Sequence, residues 1–269
     1  MASDQGLSKV PGARIAGRTV SLNDLLYALK VGGRLDAFRA AVDDLLIHTA
    51  AREAGLDADV AELQAEANTL RHSMGLLRAV DTERWLQQQH LSADDFEQLL
   101  WRRVTARKLQ QQICEAQIEP YFHRNRAALD SACISSIVLE NEAVACDILE
   151  ALALPGASFA ALARRYTIDA RAHAVGGHAG YVRRMAMDPA VAKAVFLANA
   201  GATLGPIRSS VGFEVIHVED IQRAALDPAM RAFVSDLIFN EWLHQRRHAA
   251  DAYLSFADQL IAASCSSPS

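Results

Sequence analysis

Between residues 34 and 113, apolar side chains recur every three or four positions, the spacing of one buried helical face. Leu35, Phe38, Val42, Leu45, Leu46 and Thr49 form a first stripe, closed by Gly55. Val60, Leu63, Ala67 and Leu70 form a second within residues 57–74. Thr82 is placed to open a short helix carrying Trp85 and Leu86. Ser92 and Asp95 open another, with Phe96, Leu99, Leu100, Val104, Leu109 and Ile113 on one side, until Pro120 interrupts it or begins the next. Ahead of these helices, residues 1–13 show no periodicity and read as a disordered lead. Residues 14–20 read as a hairpin or extended segment turning at Gly17. Ser21, with Asp24 three residues on, starts a capped helix through Leu29.

From residue 134 the pattern changes. Ile137-Val138-Leu139 is a short apolar run, and residues 211–218 read as an apolar strand with the carboxylate of Glu214 in it. Ser158 caps a helix whose buried stripe is Phe159, Leu162 and Ala163. Gly176-Gly177-His178-Ala179-Gly180 places three glycines in five positions, which marks a turn with positive φ or a close backbone approach. Asp188-Pro189 then starts an apolar helix, and Leu204-Gly205-Pro206-Ile207 leads into the last strands. Further on, Asp227-Pro228 opens a long helix with Leu226, Met230, Phe233, Leu237, Ile238 and Trp242 at helical spacing. A polar patch at residues 245–248 interrupts that stripe before Ala249, Ala252, Tyr253, Phe256 and Leu260 resume it. The stripe is longer than the central segment can cover, so the expected arrangement returns it to the N-terminal helices.

Composition adds bounds. At 269 residues, 51% hydrophobic and 22% charged, the chain has the make-up of one large or two modest globular domains. A net charge of −5 argues against nucleic acid or an anionic membrane as partner. No secretory signal pattern or membrane-length apolar run is present, and the expectation is a cytoplasmic chain. Cys114, Cys133, Cys146 and Cys265 form no C-x-x-C pair, which speaks against a zinc or redox motif. Cys114 and Cys146 sit on apolar stripes and read as small buried hydrophobes.

The order strand, helices, glycine turn, short strand, helix, strand, turn, strand, with these motifs, resembles the parvulin family of peptidyl-prolyl cis–trans isomerases over about 85 residues. Bacterial parvulin-type foldases join N-terminal helices and one C-terminal helix into a helical chaperone domain. The resemblance therefore implies an α+β chain. Residues 14–130 would form a helical module completed by a C-terminal helix at 227–262. Residues 131–222 would form an inserted parvulin-like domain, a four-stranded antiparallel sheet with flanking helices. It implies no cofactor, and an unfolded protein or proline-containing peptide as partner; a homodimer that swaps helices is a further candidate.

The same resemblance assigns residues. Asp169 falls where the family carries a Cys or Asp beside the prolyl bond. Met187, Val191 and Phe196 fall at pocket positions, with Val191 in place of the usual Phe. Ala179 replaces a pocket-lining Leu, His178 replaces an Asp, and Ser209 lies in the closing hairpin. Ser136 and Glu214 stand where the family holds a pair of histidines on adjacent strands, and are expected to hydrogen-bond beneath the pocket. The residues alone allow plainer roles. Met187, Val191 and Phe196 have the spacing of any core helix; Asp169 could cap a turn; His178 could be a solvated turn residue. His244 and His248, four apart on a helix, read as a polar surface patch. Two functions follow: a peptidyl-prolyl isomerase acting on unfolded or peptide substrates through a degenerate site, or a peptide-binding chaperone without the chemistry.

Overall fold

The computed structural model describes residues 9–249. Contacts divide the chain into two units, Met1–Ala116 with Ser235–Ser269, and Gln117–Val234. Both cuts fall inside helices, whereas the expected ones, after residue 130 and between 222 and 227, fall outside them.

The first unit opens with a hairpin, β1 (Pro11–Ile15) and β2 (Arg18–Ser21), so the chain is ordered sooner than the expected lead to residue 13. Helix α1 (Leu22–Val31) starts on a full Ser21–Asp24 capping box and runs two residues beyond Leu29. Helices α2 (Asp36–Glu53), α3 (Val60–Ser73) and α4 (Ala79–Gln89) follow, then α5 (Ala93–Leu129). Three expectations change. Thr82 lies inside α4, buried, and Arg78 rather than Thr82 stands at its N-cap. Leu45 and Val60, placed on buried stripes, are 57% and 83% exposed. In α2 the buried positions are Ala50 and Ala51, which pack with Leu109, Ile47, Phe239 and Trp242. Helix α5 also continues through Pro120; the carbonyl of Ala116 that loses its partner lies on an exposed turn, where water can bond it.

Within this unit Glu66 is 3% exposed and accepts from Arg103 Nε at 2.6 Å and Arg107 Nη1 at 2.8 Å. Burial pushes its carboxyl up, but the two guanidinium bonds outweigh that and hold it below the ordinary range. The C-terminal helix α10 (Pro228–Ala249) carries Arg247, which grips Asp43 of α2 through two hydrogen bonds, and Arg246, which pairs with Glu53. Gln110 of α5 donates to Asp236 at 2.8 Å. The apolar positions expected from residue 252 on, and Cys265, lie outside the described residues.

The second unit is built on a four-stranded antiparallel sheet in the order β4-β3-β6-β5: β3 (Ser131–Leu139), β4 (His178–Arg183), β5 (Thr203–Ser209) and β6 (Gly212–Gln222). Successive strand residues point to opposite faces. On one face Ala132, Ile134, Ile216 and Val218 pack against Val191, Val195 and Phe196 of α9 (Pro189–Leu197). On the other, Ile137, Leu139 and Val215 pack against Ala145 and Ile148 of α6 (Glu142–Leu152) and Ala163 of α7 (Phe159–Tyr166). A single turn, α8 (Ala170–Ala174), precedes the glycine turn. Buried Asp130 accepts from Ala224 N at 2.8 Å and Arg223 Nη1 at 2.7 Å, tying the start of β3 to the chain after β6. Cys114 is buried, but Cys146 is exposed, because α6 turns Ala145 and Ile148 inward instead. Among the described residues no helix is long and apolar enough to cross a membrane.

Candidate functional site

The α9 face of the sheet leaves a groove of about 530 Å³ between β3, the glycine turn, α8 and the start of α9. Its floor is Ile134, Ser136 and Val138, alternate residues of the central strand. Met187, Val191 and Val182 form an apolar wall, and Asp169 and Arg171 a polar rim, with Ala172 beside them. Ala179 lines it too, for a backbone reason: the β3–β4 register jumps between Ile134 and Ser135, making Ala179 the extra residue of a bulge.

The glycine turn closes against β3. Gly177 has φ +85°, and its carbonyl accepts from Ser136 N at 2.9 Å. A Cβ there would lie 2.8 Å from the Ser136 carbonyl oxygen, so only glycine fits. This contact sets the depth of the groove at Ser136.

Ser136 Oγ donates to Glu214 Oε2 at 3.0 Å. The two residues are not directly opposed. Ser136 pairs with Ile216, and Glu214 with Val138, so the bond runs diagonally across one face, and both residues are half-buried. Asp169 caps α8, with Oδ1 accepting from Arg171 N at 2.7 Å and Ala172 N at 2.8 Å, and still faces the groove. Cap and groove residue are therefore one and the same.

Phe196 and Ser209 are not brought to the groove. Phe196 is buried behind the wall, with Arg184 5.0 Å over its ring. Ser209 holds the β5–β6 turn, donating to Gly212 O and accepting from Val211 N, both at 3.3 Å; its neighbour Ser210 lines the groove instead. Asp188, expected only to start a helix, also lines the groove. It accepts from Ala190 N and Ser210 N, both at 3.0 Å, and these backbone amides, Ala190 foremost, hold its carboxyl below the ordinary range. It clamps α9 to the β5–β6 turn; the Asp-Pro signal marked the cap but not the clamp. His178 is no free turn residue: it begins β4 and bonds Glu219. His244 and His248 are both exposed, ring against ring at 4.6 Å.

Residues 140–220 match the family model described as Rotamase: PPIC-type PPIASE domain; the strand segment carrying Ser136 lies just outside the match. Foldase protein PrsA of Halalkalibacterium halodurans is 31% identical over 109 residues, 40% of this chain and 32% of the relative. Chaperone SurA of Chromohalobacter salexigens is 42% identical over 82 residues, 30% of this chain and 19% of the relative. The chain thus spans about a third or less of the length of these curated relatives. A crystal structure of peptidylprolyl isomerase PrsA from Bacillus anthracis aligns over 81% of this chain and 98% of that chain, at 17% identity and a TM-score of 0.48. These relatives overturn the expectation of a cytoplasmic chain, since PrsA is secreted and membrane-anchored and SurA is periplasmic.

Proposed function

We propose, from the match of residues 140–220 to the PpiC-type rotamase model, that this chain is a parvulin-type foldase that isomerises Xaa-Pro bonds in unfolded proteins or peptides. The observation that carries the reading is the groove, in which an apolar wall faces a polar rim across a floor of alternate β3 residues. Rotation about a prolyl amide must overcome resonance worth up to about 18–20 kcal/mol. No bond breaks and the reaction requires no cofactor. It requires an apolar seat for the pyrrolidine ring and a polar surround that favours the twisted, less conjugated amide.

Met187 and Val191 supply the seat, and Ala179 leaves room beside it. Asp169 stands at the rim beside the amide, while Ser136 and Glu214 replace a pair of histidines beneath it and hold the floor by their mutual bond. Phe196 acts from behind the wall and Ser209 through the hairpin. For the chain as a whole we infer a helical chaperone module, residues 14–130 with 227–262, carrying the rotamase segment 131–222 as an insertion. The packing of Phe239 and Trp242 with Ala50, Ala51 and Leu109 supports it.

A second reading, peptide binding without isomerisation, is favoured by one feature: a carboxylate–hydroxyl pair where the family has histidines. Exchange spectroscopy on Xaa-Pro peptides decides between them. Faster cis–trans exchange that Asp169→Ala and Met187→Ala both slow supports the isomerase. Saturable binding without faster exchange supports the chaperone, and neither binding nor exchange refutes both.

A further inference from the structure

The opposite face of the same sheet carries a second polar cluster. Cys133 and Ser135 of β3, His178 of β4 and Glu219 of β6 converge there from three neighbouring strands. Ser135 Oγ donates to Glu219 Oε1 at 2.7 Å, Cys133 Sγ to Oε2 at 3.1 Å, and His178 Nδ1 lies 3.0 Å from Oε1. Two irregularities build this convergence. The β3–β6 register jumps between Cys133 and Ile134, leaving Glu219 as the extra residue of a bulge; the Ala179 bulge on the other side fixes His178 opposite Ser135. Bulges re-aim side chains, and here they bring an imidazole and a thiol to one carboxylate.

Glu219 is fully ionised: the Ser135 bond foremost, then those from Cys133 and His178, outweigh burial and bring its carboxyl down to about 2. Burial and the neighbouring carboxylate push the Cys133 thiol up to about 11. So the cluster, as it stands, is an anion ringed by three donors.

We propose that Cys133, His178 and Glu219 form a site for a zinc-like divalent cation, with water in the fourth position. A sulfur, a nitrogen and an oxygen ligand in a tetrahedral set is the donor chemistry of Zn²⁺. Bonds of about 2.0–2.3 Å place such ligands roughly 3.3–3.8 Å apart. The three donor atoms lie within 4.8 Å of one another; Cys133 and His178 touch different oxygens of the Glu219 carboxylate, so a small turn of the side chains brings one oxygen, the thiol and the imidazole to these separations. Binding releases the thiol proton to solvent and moves the imidazole proton to Nε2, leaving Nδ1 free to coordinate. The charges then balance, two negative ligands on a dication. His178 and Glu219 have side chains 54% and 33% exposed, which gives the cation its way in. Ser135 keeps its bond to the carboxylate and orients it. The site clips β4, β3 and β6 together beside the groove, whose lining includes His178, and does not depend on the isomerase reading.

Cobalt(II) titration of the full chain tests this. The expected result is one equivalent bound with tetrahedral and thiolate-to-cobalt absorption, displaced by Zn²⁺. His178→Ala, on an exposed side chain, and Cys133→Ala should abolish that spectrum. Ser135→Ala should weaken binding roughly 10–100-fold. Cys146→Ala, at an exposed thiol, and the H244A/H248A pair, two exposed histidines in ring contact, should leave it unchanged. A thiolate band that survives Cys133→Ala, binding that follows His244 and His248, or no stoichiometric binding overturns the site. Melting curves of the metal-free variants separate lost ligation from lost folding.

Discussion

Replacing Gly177 with alanine adds one methyl group at the turn that closes the groove. Two costs arise there. The residue sits at φ +85°, where an L side chain meets its own backbone at a cost of about 1–2 kcal/mol. The new carbon would also stand 2.8 Å from the Ser136 carbonyl oxygen, 3.0 Å from Ala163 Cβ and 3.3 Å from Phe159 Cε1. None of these can readily give way, since β3 is paired on both sides and Ala163 is fully buried. Overpacking of this kind costs about 1–3 kcal/mol, for a total of about 2–5. Gly180→Ala is the internal control: φ is +70°, with nothing within 4 Å of the added carbon, so only the first cost applies. The gap between the two variants, about 1–3 kcal/mol, is the steric price of the turn's closeness to β3. Hydrogen exchange of the β3 amides measures it in this unit alone, as a difference of roughly 5–150-fold in protection. Peptide affinity should fall with Gly177→Ala, because the turn and Ala179 must move away from the floor. Equal losses in the two variants would refute the close-contact account.

Ser136→Ala leaves Glu214 without its hydroxyl donor and should cost about 1 kcal/mol, read by denaturant unfolding; changing both residues to His should restore stability and raise isomer exchange. Met187→Ala trims the apolar wall and should weaken proline-peptide binding about tenfold by titration calorimetry, with melting lowered as well because Met187 also packs against the core on that face of the sheet. Glu66→Gln should destabilise the helical unit by about 1–3 kcal/mol in urea unfolding. Because the Glu66 carboxyl is depressed in the fold, its contribution is whole above the ordinary glutamate value, about 4.3, and is lost as pH falls through the lower native value. The acid-induced loss should therefore shrink in the Gln variant.

What could be read from the sequence was whatever is written locally. The capping box at Ser21–Asp24, the Ser158 cap and the glycine turn each declare themselves within a few residues, and each stands where expected. Packing choices were less visible. Helix α2 turns Ala50 and Ala51 inward and leaves Leu45 in water, because Phe239 and Trp242, almost two hundred residues away, need small partners. No periodicity count weighs an alanine above a leucine. Phe196 and Ser209 missed the groove because resemblance fixes a position along an element, not which way its side chain turns. The Cys133–His178–Glu219 convergence depends on sheet order and two bulges, neither of which leaves a local mark.

Ser135 and Ser136 are chain neighbours, yet each donates to a different glutamate on a different side of the sheet. That doubling guards the alignment of the central strand. Slip β3 by one residue in one direction and Ser135 meets Glu214 while Ile134 is driven against Glu219. Slip it the other way and Ser136 meets Glu219 while Ile137 is driven against Glu214. Either error leaves one carboxylate facing a hydrocarbon and turns Ile137 and Leu139 out of their helical cover. A misaligned sheet is thus penalised on both surfaces at once, and two adjacent serines serve as a check on the register of the whole sheet.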